Sequence, residues 1–152
     1  MLPPLSGSGS FGIVGVVRTR HYVYFALKSE VRTGAEMGKR IGLAADRVRV
    51  RGSMVPSDPR PHTWEIIANE PELRVDEQIA RVMDRIRPYQ HAIRDCVSIE
   101  PCKATLNASR LWLDTTREGP GFHHPVGWHL SADVMAFLLD VGAELKVREY
   151  GP

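Results

Sequence analysis

Between His21 and Lys28 the chain reads HYVYFALK, and its apolar side chains fall on both parities: Val23, Phe25 and Leu27 alternate with Tyr22, Tyr24 and Ala26. The β-branched and aromatic character reaches back to Ile13, with only RTR interrupting it. This pattern predicts a strand that carries apolar residues on both faces. The period then changes. In TGAEMGKRIGL, Met37 and Ile41 lie four apart, Thr33 and Glu36 have capping-box spacing, and Gly42 stands where a C′ glycine belongs. A short helix is therefore predicted. The stretch RVRVRGSMVPSDPRP is punctuated by Pro and Gly and reads as a loop with a brief extended piece over 47–51. HTWEIIA follows as a second strand.

Val75, Ile79, Val82, Met83 and Ile86 recur at helical spacing, with Asp76 and Glu77 favourably placed at the start. Pro88 ends or kinks this helix and YQHAIRDCV carries it on, so a long helical segment is predicted over 74–97. A third strand spans about 103–114. A loop rich in Gly, Pro and His leads to LSADVMAFLLDVGAEL, where Ser131 is the N-cap, Leu130 and Met135 can form a hydrophobic staple, and Gly142 closes the helix. ELKVREY is the last strand, with Leu145 and Val147 facing inward. The order is β-α-β, a long helix, then β-α-β. It predicts an α+β fold: a ferredoxin-like antiparallel sheet with two β-α-β halves and the long helix inserted between them. Residues 1–10 bury too little apolar surface to offset their ordering entropy and are expected to form a disordered leader. Residues 11–152 are expected to form a single α+β domain.

Several blocks then carry a resemblance: YVYFALKSE, IGLAADRVRVRG, HTWEI, RVDEQIARVMDRIRP, GWHLSADVMAFLLDVGAEL and the closing REY. In this order they resemble a bacterial family called domain of unknown function four-two-seven-nine, over about residues 21–150. The resemblance implies a small α+β domain. It implies no known activity, so no catalytic residue is carried over. The region 103–125 departs most from the family pattern, with TREGPGFHH where members often carry an acidic segment.

Composition narrows function mainly by exclusion. The net charge of +2 is too small to demand a polyanionic partner, and no run of five like charges occurs. The two cysteines, Cys96 and Cys102, form no disulfide framework and no C-x-x-C pair, so they read as buried or idle thiols. No stretch approaches the roughly 18 apolar residues that span a bilayer, and the N-terminus lacks a signal-peptide pattern. The expectation is a cytoplasmic protein with no membrane partner.

Four constellations suggest chemistry. GSGSFGIV at 7–14 with Lys28 and Glu36 imitates a kinase glycine-rich loop with its lysine and helix glutamate, and IRD at 93–95 imitates part of a catalytic loop. However, Glu100 stands where the catalytic-loop asparagine is needed, and no D-F-G occurs. His123, His124 and His129 lie within seven residues, and three imidazoles can make an open zinc site. They lack an acidic partner within the cluster, and the plainer reading is a polar loop that delivers Trp128 and Leu130 to the core. Tyr22 and Tyr24 share one face of the first strand, while Arg110 and Trp112 share one face of the third. On neighbouring strands these four would form a ligand or interface platform. Core packing or a protein interface is favoured over a small-ligand pocket. Nucleic acid comes last, because the RNA-binding strand signature is missing. Arg47, Arg49 and Arg51 line one side of an extended piece and read as a solvated edge before a phosphate site. With no nucleophile–base pair and no paired carboxylates, neither catalytic residues nor a cofactor are assigned. The sequence favours a non-enzymatic binding or protein-interaction module that self-associates through its sheet face or an edge strand. The alternatives are a metal-dependent hydrolase built on the histidines and a single-stranded nucleic-acid binder built on the aromatic face.

Overall fold

Thr33 and Gly42 bracket the first helix as capping chemistry requires. The Thr33 hydroxyl accepts from the Glu36 N–H at 3.1 Å, and Gly42 adopts φ 85°, which a side chain would oppose. Ser131 and Gly142 repeat the device at the last helix, with φ 70° at the glycine. The computed structural model describes residues 19–52, 61–68, 70, 73–99, 102–112 and 127–150, with backbone alone for 19, 20, 111 and 112. The expected leader, the glycine run at 7–14, and His123 and His124 lie outside the described residues.

Along the chain come β1 (Thr19–Ser29), α1 (Gly34–Ile41), β2 (Arg47–Arg49), β3 (His62–Ile67), α2 (Val75–Ile86), a 3-10 turn (Arg87–Tyr89), α3 (Gln90–Ser98), β4 (Cys102–Trp112), α4 (Ala132–Val141) and β5 (Ala143–Tyr150). The long helical segment is thus broken at Pro88, where the missing N–H and the ring cannot continue α-helical bonding.

The strands form one five-stranded sheet in the order β2-β3-β1-β4-β5. All neighbours are antiparallel except β4 and β5. The α+β class holds, but the strand arrangement differs from the expected ferredoxin-like plan. The central pair, β1 and β4, is antiparallel, and a parallel pair closes one edge. The connections explain this. β3 and β4 flank β1 and run the same way, so the whole α2–α3 segment acts as one crossover. The single helix α4 likewise delivers β5 parallel to β4.

Directly opposed residues point to the same side of a sheet, so register assigns the faces. Phe25 pairs with Ile66 on one side and Leu106 on the other, and Leu27 pairs with Trp64 and Ala104. These residues are buried and form the core with Met37, Ile79, Met83, Ile86, Ile93 and Phe137 of the helices. The Phe25 and Phe137 rings meet edge to face at 6.2 Å. Trp64 is fully buried, and its indole N–H donates to the Leu43 carbonyl at 3.0 Å. Gln78 of α2 is also fully buried, and its amide donates to the carbonyls of His21, Glu70 and Leu73. This fastens the β3–α2 connection to β1. Leu145 and Val147 lie in the same rows as Leu106 and Ala108, the inward side expected for them. On the edge strand, however, they remain 38% and 48% exposed.

Candidate functional site

The opposite parity builds a different surface. Tyr22, Tyr24, Ala26 and Lys28 of β1 stand opposite Ser109, Asn107, Thr105 and Lys103 of β4. Tyr24, Ala26 and Lys28 also face Ile67, Glu65 and Thr63 of β3, and the latter two face Arg47 and Arg49 of β2. On the far side, Glu144, Lys146 and Arg148 of β5 continue the rows of Thr105, Asn107 and Ser109. None of these residues belongs to the hydrophobic core cluster. We call this side of the sheet the polar face.

Its centre is assembled around a small residue. Ala26 leaves room beside it, and Glu65 lies there with only 3% exposure. The Arg47 Nε–H donates to the Glu65 carboxylate, and Arg49 Nε stands 3.9 Å from it. Held in this way, the Arg47 guanidinium lies over both tyrosine rings, 5.9 Å from the Tyr22 centroid and 5.8 Å from that of Tyr24. The two rings are themselves 5.3 Å apart and tilted by 50°. Burial, and then Glu65, push the Tyr24 phenol above its ordinary range. Asn107 and Thr105 are buried beside them, joined by a 2.8 Å side-chain hydrogen bond.

Apart from Glu144, the charged residues on the rest of the face are cationic. Lys28, Lys103, Lys146 and Arg148 make no ion pair among the described residues, whereas Glu65 is engaged by Arg47 and Arg49. Burial and then the charges of Lys146 and Arg148 pull the Lys28 ammonium below the usual lysine range, against a smaller opposing effect of Glu65. Positive charge is crowded enough here to be felt by its own members.

The four residues singled out from the strand pattern are therefore divided. Tyr22 and Tyr24 are together on the polar face. Arg110 pairs in the ladder with His21, on the parity of the core, and is 4% exposed with its guanidinium donating to Glu149. Trp112 is opposite Thr19, at the same parity as Arg110. Lys146, Arg148, Arg47 and Arg49 take the places that Arg110 and Trp112 were to fill. Their signal was a two-residue spacing of cations in RVR and KVR, which becomes meaningful only once the strands are ordered.

His129 is exposed, with Nδ1 3.3 Å from an Asp76 carboxylate oxygen. It borders a cavity of about 250 Å³ between the first turns of α2 and α4 that Glu77 and Ser131 also line. Among the described residues no group of three or more His, Cys, Asp or Glu gathers as metal ligands. Lys28 lies on the polar face and Glu36 in the first turn of α1, and Asp95 is part of α3. Cys96 and Cys102 are free and buried, and burial pushes the Cys102 thiol up to about 11. No described helix is long and apolar enough to cross a membrane.

A family model described as Domain of unknown function (DUF4279) matches residues 19–152, in agreement with the resemblance carried by the sequence blocks. No curated protein and no solved structure matches the chain.

Proposed function

The chain belongs to the DUF4279 family, and from that premise we propose a non-enzymatic binding module whose polar face receives an anionic partner. The observation that carries this reading is that Lys103 of β4 and Lys146 and Arg148 of β5, which make no ion pair among the described residues, stand on the same side of the sheet as a joined tyrosine pair. Uncompensated cations on adjacent strands attract phosphates or carboxylates, and part of the binding free energy comes from released counterions.

Single-stranded nucleic acid is the partner that would use both halves of the surface. Its phosphates suit the lysines and Arg148. Its bases suit Tyr22, Tyr24 and the flat guanidinium of Arg47, since base stacking on aromatic and arginine planes contributes about 1–3 kcal/mol per base. The sequence alone ranked this partner last because the RNA-binding strand signature is missing, and the platform it offered rested on Arg110 and Trp112. The paired strands supply a different and more cationic set.

Fluorescence anisotropy with a labelled single-stranded oligonucleotide at low salt tests the proposal, with heparin as a charge-only competitor. Arg148→Ala should weaken both ligands. Tyr22→Ala should weaken the oligonucleotide and spare heparin. Failure of the folded wild-type protein to bind either ligand at low salt would end the proposal. Binding of heparin alone would remove the base-stacking half of it.

A further inference from the structure

We propose that the edge strand β5 is a self-association site at which a second copy of this chain pairs antiparallel, with the two-fold axis at Leu145. Three independent observations meet there.

The first is an apolar row that runs out into solvent. Ile66, Phe25, Leu106 and Leu145 are successive partners across β3, β1, β4 and β5. The first three are wholly buried, yet Leu145 is 38% exposed. A second copy related by a two-fold axis at Leu145 continues the row without a break, through its own Leu145 and on to its Leu106 and Phe25. The neighbouring row, which ends at Val147 with 48% exposure, then meets Ala143 of the second copy.

The second is charge. Lys146 and Arg148 on an edge strand are the usual protection against sheet-to-sheet pairing. Here Glu144 lies two residues before Lys146, on the same face. The register centred on Leu145 sets each Glu144 opposite Lys146 of the other copy, so the protection is neutralised in that alignment. A register centred on Lys146 instead opposes two lysines, although it also sets each Glu144 opposite Arg148, and one centred on Val147 opposes Lys146 to Arg148. Like charges directly opposed are unfavourable. Of these three registers, the one centred on Leu145 alone is free of opposed like charges.

The third is length. The other edge strand, β2, has three residues, whereas β5 has eight with no proline. Of the two edge strands among the described residues, β5 is the one long enough to hold a partner strand. Paired in this way, the two sheets merge and both polar faces fall on the same side, because opposed residues of an antiparallel pair share a face.

Sedimentation equilibrium tests the proposal. The wild type should dimerise reversibly. Glu144→Lys and Lys146→Glu should each weaken the dimer by about fivefold or more, and the double exchange Glu144→Lys/Lys146→Glu should restore it. These positions are at the surface, so circular dichroism should be unchanged. Leu145→Cys should form a disulfide-linked dimer on mild oxidation, and Val147→Cys should not. A wild type that stays monomeric at all concentrations overturns the proposal. So does a dimer that is indifferent to the charge exchange, or one restored by exchanging Glu144 with Arg148 instead. The oligonucleotide measurement is separate: a monomer that binds, or a dimer that does not, tells the two proposals apart.

Discussion

Glu65→Gln should move stability and binding in opposite directions. The carboxylate is almost wholly buried, accepts from Arg47 and stands near Arg49, while each arginine side chain keeps about a third of its surface exposed, 36% and 35%. Glutamine preserves size and loses the charge. A hydrogen bond to a charged group contributes about 1.5–3 kcal/mol. Solvent around the two arginines screens part of what remains, so the expected loss is about 1–2 kcal/mol. Urea denaturation followed by the fluorescence of buried Trp64 measures it, as a lower midpoint at unchanged slope. The same substitution leaves Arg47 and Arg49 without their counter-charge, so the polar face becomes more positive by one unit. For single-stranded nucleic acid the logarithmic salt dependence should then steepen by about 0.7, with several-fold tighter binding at low salt. A folded Glu65→Gln variant with unchanged or weaker oligonucleotide binding would refute the placement of the anion on this face.

Lys28 should give the binding a pH dependence. Its ammonium titrates below the ordinary 10.5, so affinity for an anion should fall as pH rises through that depressed value. Because the folded chain holds this proton less tightly than the unfolded one, stability should rise over the same interval up to 10.5, and Lys28→Met should flatten both profiles. Gly34→Ala should cost about 1–3 kcal/mol, because a Cβ there would sit 2.4 Å from both the Thr63 carbonyl oxygen and a Val48 methyl group. Adding Val48→Ala should not recover the loss, since the carbonyl remains, and urea midpoints of the two variants decide the matter. Asp46 accepts from Arg85 at 2.8 Å and from the Ile67 N–H at 2.7 Å, and Arg85 in particular holds its carboxyl below the ordinary carboxylate range. Its contribution should be complete above the unfolded value and lost as pH falls through the folded one. Asp46→Asn should therefore unfold less steeply in acid when followed by circular dichroism.

Local chemistry was legible wherever one residue decides one turn. Thr33, Ser131, Gly42 and Gly142 mark helix ends by hydroxyl acceptors and left-handed backbone, and Pro88 breaks a helix by lacking a donor. Even β2 was visible as an extended piece within RVRVRG. Strand order and facing were not, because both are settled by partners far away in the chain. In HYVYFALK either parity could have met the helices. Val23, Phe25 and Leu27 do so because Trp64, Ile66 and Leu106 fall opposite or beside them once the ladder forms. The same uncertainty misplaced Arg110. Alternation within one strand says that two residues agree in side, and not which side of the neighbouring strand they match.

The centre of the sheet joins residues that are synthesised far apart, with Thr19 beside Trp112 and Ser29 beside Cys102. A nascent chain on the ribosome can close β3 onto β1 long before β4 emerges. Until then β1 carries a bare flank and a half-covered row of aromatic and branched side chains. Such late, long-range closure slows folding and leaves a sticky intermediate. Fragments ending before Cys102 should accordingly be recovered as aggregates, and expression should benefit from slower translation at lower temperature.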